Sequence, residues 1–337
     1  MERELRITGY KVKNIEELKQ IAPAAFSGEH NRSRIYSFLP TTEILENLKK
    51  LGWELTYAKQ QGSSNYSRHI IRLTNPALDY MPLKNDQVRP QLILDNSHNG
   101  GSSAQLHMGL FRMVCESELV ISIPNFFSGI KFRHMGLNLE ELKEVLAKMA
   151  EQYKIVAKHI SSMQDIILTP EQKEKFALTG AAFRDPRRYI NNDGTINYKN
   201  LNESIDAKTL LDPLRGGDKP MSLWATFQNV REWLIKGGFE QKSEKGRLSR
   251  AKAINNAVRQ IALNKMLWTL AEEYLNKPLE ANVFEILKKS ETRVWTYTTA
   301  KGEERRVRII NQLDDGFAKV QDIKANRIFA VSNAKLK

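Results

Sequence analysis

With a single cysteine, Cys115, the chain cannot close an internal disulfide. Packing and hydrogen bonding must therefore hold it together. No apolar run approaches the ~20 residues of a membrane span. The charged start, Met1-Glu-Arg-Glu-Leu-Arg6, lacks the apolar stretch of a signal peptide. These absences predict a cytoplasmic protein with no membrane partner. Signatures of catalysis are missing too: no Walker loop, no nucleophile elbow and no HExxH pair occur, and one cysteine excludes a paired-cysteine zinc site. Neither enzymatic activity nor a cofactor is expected. Acidic side chains are also scarce, 39 against 52 Lys and Arg, which leaves a formal net charge of +13. Such a balance favours a polyanionic partner, nucleic acid first. The excess leans to the C-terminal third, with nine Lys/Arg against three Glu between Arg231 and Lys265.

What is present is concentrated in Leu92–Leu119, an apolar run, a polar knot and a second apolar run. The knot comprises Asp95, Asn96, Ser97, His98, Asn99, Gly100, Gly101, Ser102 and Ser103. Asn99-Gly100 is a strong turn signal, since both residues tolerate positive φ. Leu92 and Leu94 alternate with Ile93 before it, and Leu106, Met108 and Leu110 alternate with His107 and Gly109 after it. Two antiparallel strands joined by a tight polar tip are predicted. A plain turn does not need so many polar groups. One reading makes the tip a phosphate nest, with backbone N–H groups at Asn99–Ser103 and hydroxyls from Ser97, Ser102 and Ser103. The other makes it a turn satisfied by its own hydrogen bonds. A metal site from Asp95, His98, His107 and His134 would require unrelated segments to converge, and His98 with Cys115 would be a nucleophile pair only if that thiol were not buried.

The run N-S-H-N-G-G-S-S, with R-M-V-C-E-S-E-L at Arg112–Leu119, resembles the signature of a phage- and plasmid-encoded family carrying the domain-of-unknown-function label nine-three-two. That signature is Asn-Ser-His-Asp-Gly-Ser, then Arg-x-Val-Cys-x-Asn-x-Leu. Here Asn99 stands for the Asp, Gly101 is additional, and Ser117 stands for the second Asn. The resemblance spans about Arg68–Leu146 and extends more loosely through Ser222–Leu275. It implies a fold and a phage or plasmid setting, hence a bacterial host cytoplasm, but no established activity.

Before the knot, Ile15–Ile21 reads as a short helix and Arg32–Leu39 as a segment ended by Pro40. Thr41 or Thr42 is the expected cap of a helix bearing Ile44, Leu45, Leu48 and Leu51, stopped by Gly52. Trp53–Tyr57 and Arg68–Thr74 alternate as strands, the second carrying Arg68 and Arg72 on one face, either solvated or as a phosphate track. Beyond the knot, Arg112–Leu119 is expected to turn helical. Ile130–His134 is a further strand with Lys131 and Arg133 on one side, and Asn138 caps a long helix, Leu139–Met163. Thr169-Pro170 opens another helix. Ser222 caps Leu223–Lys236, ended by Gly237-Gly238, and Leu248–Leu275 reads as one longer helix with Lys252, Asn255, Asn256 and Arg259 on its polar face. Four short strands after residue 293 suggest a small barrel or rolled sheet bearing Arg305, Arg306, Arg308 and Arg327.

The expected fold class is α+β: an antiparallel sheet with a central hairpin packed by a long helix, then a helical region and a small C-terminal β module. The chain is long enough for one large domain or two to three smaller ones, and the expected boundaries are 1–165, 166–280 and 281–337. This order loosely resembles the core of phage single-strand annealing proteins, which implies oligomers that hold DNA backbone in a positive groove. The expected function is thus non-enzymatic binding of nucleic acid, single-stranded DNA above all, by a homo-oligomer. The expected contacts are Arg68, Arg72, Ser97, His98, Asn99, Gly100, Gly101, Ser102, Ser103, Lys131, Arg133, Lys252, Arg259, Arg305, Arg306 and Arg308. Two alternatives are an anti-defence protein that blocks a host factor and a metal-dependent nuclease or hydrolase centred on His98.

Overall fold

The computed structural model describes residues 10–27, 40–78, 81–83, 86–99, 104–112, 117–120, 130–131, 139–191, 195–214, 222–243, 245–276, 294–299, 303–312, 317–322 and 328–332. Two compact units divide the chain: Met1–Ile121 with Phe126–His159, and Ser122–Asn125 with Ile160–Lys337.

The first unit is built on an antiparallel sheet. Its elements are β1 (Tyr10–Lys11), α1 (Ile15–Ile21), a 3-10 turn (Pro23–Phe26), α2 (Thr41–Lys50), β2 (Glu54–Gln61), β3 (Arg68–Thr74), β4 (Met81–Leu83), β5 (Asp86–Asn96), β6 (Gln105–Arg112), β7 (Ser117–Val120), β8 (Ile130–Lys131) and most of α3 (Leu139–Asp165), whose last turns belong to the second unit. The strand order is β1-β2-β3-β5-β6-β7, with β4 beside β5 and β8 beside β6. The central hairpin is present: β5 and β6 pair from Val88↔Arg112 to Asp95↔Gln105. Its connection, residues 97–104, is longer than a two-residue turn. Leu92, Leu94, Leu106, Met108 and Leu110 are all buried, as the alternation predicts, but so are Ile93 and His107. Both faces of this strand pair are covered. On α3, Leu142, Leu146, Met149, Tyr153 and Val156 are buried, and the Tyr153 hydroxyl donates to the Gln91 carbonyl at 2.6 Å.

Three expectations need correcting in this unit. Thr41 does not cap α2: Pro40 holds the extended cap position without a side-chain bond, and Thr41 is the first helical residue. Residues 117–120 are strand rather than helix, because they add to the free edge of β6. The Arg68/Arg72 face is not solvated: Arg72 and Thr74 are buried on it, and the half-buried Arg68 pairs with Asp95. Residues 32–39, 113–116 and 138 lie outside the described residues.

The second unit opens with α4 (Pro170–Arg184), α5 (Pro186–Tyr189), α6 (Tyr198–Ser204), α7 (Ala207–Leu211) and α8 (Leu223–Lys236). Then come β9 (Glu240–Lys242), β10 (Leu248–Arg250) and α9 (Ala257–Asn276). Thr169 and Gln172 form a reciprocal capping box at the start of α4, and Ser222 caps α8. Phe176, Phe227, Leu267, Trp268 and Tyr274 fill the core. At Gly180 a Cβ would stand 2.9 Å from Leu267 and 3.1 Å from Leu234, so the missing side chain is what lets α4, α8 and α9 approach.

The expected single helix over Leu248–Leu275 is corrected. Leu248–Arg250 pairs with Glu240–Lys242 as a hairpin, and the helix begins only at Ala257, where Asn256 Oδ1 accepts from the Arg259 amide at 3.0 Å. Lys252, Asn255 and Asn256 therefore precede the helix, and only Arg259 stands on it. The C-terminal strands β11 (Val294–Thr298), β12 (Glu304–Gln312), β13 (Phe317–Asp322) and β14 (Ile328–Ser332) form a four-stranded meander in chain order. Among the described residues β11 and β14 do not pair, so the sheet does not close into the expected barrel. The architecture is α+β.

The turn into the β9–β10 hairpin rests on Gly237, with φ +71° and a would-be Cβ only 2.5 Å from the Ala251 carbonyl oxygen. Gly246, in the hairpin's own turn, has φ +74° with open space around it. Gly246→Ala should cost about 1–2 kcal/mol of left-handed strain. Gly237→Ala should cost clearly more, because the backbone must also move. Urea midpoints for the two variants test this, and equal losses would mean the close approach is unimportant.

Candidate functional site

The first part of the polar run folds inward. Asp95, Asn96, Ser97 and His98 are each 3% exposed or less. The sheet register explains which groups meet. His69 on β3 lies directly opposite Asn96 on β5, and His98 follows Asn96 by two residues, the strand period. The first turn of α2 brings Thr41, fully buried, between them.

The Thr41 hydroxyl is the centre of this group. It lies 2.7 Å from His69 Nε2, 3.1 Å from His98 Nε2 and 2.9 Å from Asn96 Nδ2. The bonding assigns the protons. His69 Nδ1 lies 3.0 Å from the Ser67 carbonyl, which can only accept, so His69 carries its proton on Nδ1. Its Nε2 then receives the Thr41 hydroxyl proton. Both lone pairs of the hydroxyl remain, one for the Asn96 amide and one for His98 Nε2–H. The two imidazoles meet edge to face with centroids 5.2 Å apart. Asn96 Oδ1 accepts from the Ser97 amide at 2.8 Å, and the His98 amide donates to the Tyr66 carbonyl at 3.2 Å.

On the other face of β3 and β5, Arg68 binds Asp95 with both arms, Nε to Oδ1 at 2.7 Å and Nη2 to Oδ2. Arg72 is buried, with its guanidinium 3.7 Å above the Tyr57 ring on the paired strand. Both cations expected to track phosphate are thus held within the sheet, one by a carboxylate and one by a ring. Ser97 donates to Asn99 Oδ1 at 3.1 Å, so part of the knot is satisfied internally.

Gly100, Gly101, Ser102, Ser103, Arg133, His134 and Cys115 lie outside the described residues. Among the described residues no three His, Cys, Asp or Glu side chains gather in a metal-ligating cluster. Asp95 turns instead to Arg68, and His107 stands on β6 opposite Ile93. Lys131 pairs with Gln105, while Arg305, Arg306 and Arg308 pair with Tyr297, Thr296 and Val294. Lys252 and Arg259 are exposed. The reading from sequence missed Thr41 and His69. The available signal was a histidine in a strand of otherwise buried character, Arg68-His-Ile-Ile-Arg-Leu-Thr74.

These features define an α+β protein in which Asn96, Ser97 and His98 are a hydrogen-bonded part of the core. The chain belongs to the family described as Domain of unknown function (DUF932), whose profile matches residues 30–268. It is similar to the UPF0380 protein YafZ of Escherichia coli (strain K12), 28% identical over 269 residues, covering 78% of this chain and 91% of that protein. It is likewise similar to the UPF0380 protein YfjQ of the same organism, 27% identical with the same coverage. No solved structure matches.

Burial pushes His69 down from 6.5 to about 4, against the pull of its bond to Ser67 and with help from the Arg68 charge. Burial pushes His98 to about 4 as well, with His69 adding to the fall and the Ala24 backbone opposing it. In the unfolded chain both titrate near 6.5, so between those values the unfolded state binds more protons. The stability the neutral imidazoles contribute is complete above pH 6.5 and is lost as pH falls towards 4. The urea midpoint should therefore drop between pH 7 and pH 5, and His69→Gln with His98→Gln should flatten that drop. Thr41→Val should destabilise at every pH, by about 1–3 kcal/mol, since it strands the groups that the hydroxyl satisfies. An isosteric valine without cost would mean the knot is not structural.

Proposed function

We propose that this protein binds nucleic acid without turning it over, and that its substrate is single-stranded DNA during annealing or recombination. The observation that carries the proposal is the excess of 13 positive charges in a chain whose most enzyme-like residues are folded into the core. Thr41, His69 and His98 use their polar atoms on one another and are shielded from solvent. That arrangement disfavours a reactive centre at His98. Holding DNA requires cations along a track, not a catalytic group, and copies side by side extend the track. Of the contacts expected from sequence, Lys252 and Arg259 stand exposed, and Lys131, Arg133, Arg305, Arg306 and Arg308 remain part of the proposal. Arg68 and Arg72 do not.

The test is a shift assay with single-stranded and duplex DNA at low salt. If about four to six phosphates are neutralised, affinity for the single strand should fall by about two orders of magnitude between roughly 50 and 200 mM salt. A flat salt response, or no binding at low salt, would remove the nucleic-acid reading and favour a protein that blocks a host factor.

A further inference from the structure

The β9–β10 hairpin replaces the start of the expected helix, and its cations are exposed. Its outer positions and flank read Glu240-Gln-Lys242, Lys245-Gly-Arg247-Leu-Ser-Arg250-Ala-Lys252. Lys242, Lys245, Arg247, Arg250 and Lys252 are all exposed, and none of the five ionic side chains takes a salt-bridge partner among the described residues. The register sets Lys242 against Leu248 and Glu240 against Arg250. One face of the ribbon thus carries a cation from each strand, Lys242 and Arg250, together with Glu240 and Leu248, and Lys245 and Arg247 add charge at the turn.

The ribbon is fixed at its base. Gly238 and Phe239 exchange backbone bonds with Ala251, each 2.8 Å long, and the Ile254 amide donates to the Ile235 carbonyl at 2.9 Å. Gln241 bridges to Ile205. Arg184 acts as a staple: Nε donates to the Leu234 carbonyl at 2.7 Å, Nη2 donates to the Lys252 carbonyl, and the guanidinium lies over the Phe239 ring. Both feet of the hairpin are therefore tied to the end of α8. The tip is closed by Ser243, whose amide donates to the Arg247 carbonyl at 2.8 Å.

We infer that this hairpin is a contact for the sugar-phosphate backbone of single-stranded DNA, an inference that rests on the nucleic-acid reading above. Its described residues carry no aromatic ring on which a base would stack, so the contact is to phosphates and independent of base sequence. An acidic membrane is the less favoured polyanion. Leu248, 55% exposed, is the only large exposed apolar side chain on the ribbon, too little for insertion.

The experiment uses the full chain, with Lys245→Ala, Arg247→Ala and Arg250→Ala combined. A control removes three exposed cations from the first unit, by Lys19→Ala, Lys49→Ala and Lys50→Ala. The probe is a labelled oligothymidylate of about 30 nucleotides, titrated over a range of salt. The hairpin variant should melt with the parent, lose about tenfold or more in affinity, and show a salt slope shallower by about 2. The control should change far less. An unchanged slope in the hairpin variant, or equal losses in the two variants, would overturn the hairpin as the contact while leaving nucleic-acid binding in place. Loss of duplex binding alone would overturn the assignment to single strands. Loss of binding only to phosphatidylserine vesicles would transfer the surface to a membrane. A parent that binds no oligonucleotide at low salt would instead remove the underlying reading.

Discussion

The first unit depends on one hydroxyl. Thr41 Oγ1 offers one proton and two lone pairs, and three neighbours use them: His69, Asn96 and His98. Through it the start of α2, strand β3, the end of β5 and the run after β5 are tied at one point. A threonine on the outside of a helix would stabilise little. Here its burial makes every bond matter, because a stranded polar group in the core costs more than a satisfied one contributes. The Arg68–Asp95 pair on the opposite face adds a second fastening to the same two strands. The end of the sheet is thereby specified on both faces.

Much of this fold was legible in the sequence, and the legible parts share a cause. Ile15–Ile21, Arg68–Thr74, Pro170–Arg184 and Leu223–Lys236 carry local signals, a period together with a cap or a breaker, and local signals fix local elements. The failures were non-local. Residues 117–120 become strand because β6 has an unpaired edge to offer. Leu248–Arg250 becomes strand because Gly237 and Gly246 turn the chain back on Glu240–Lys242. Leu267 and Leu270 are buried on α9, whereas Ile254 reaches the core from the irregular segment before it.

The site was legible as a place and not as a state. The polar run at the end of β5 stood out in the sequence, and its polarity suggested a tip, whereas Asp95–His98 are buried. Nothing local distinguishes a polar residue that meets water from one that meets a partner 55 positions away, the separation of Thr41 and Asn96. The same ambiguity affected Arg68 and Arg72, whose charge was plain and whose partners, Asp95 and Tyr57, depended on register. Conversely, the exposed Arg250 and Lys252 lay in a segment read as the start of a helix, and only Lys252 was placed on its polar face.

The stapling of that segment by Arg184 has a thermodynamic consequence. A loose arm that grips a ligand must surrender its conformational freedom on binding, and that loss is subtracted from the contact energy. A ribbon whose two feet are already fixed to α8 has lost most of this freedom during folding. Such preorganisation lets a few cations act with little entropic penalty. It also sets their spacing by the protein, so a polyanion held there, as proposed, would have to conform to the ribbon.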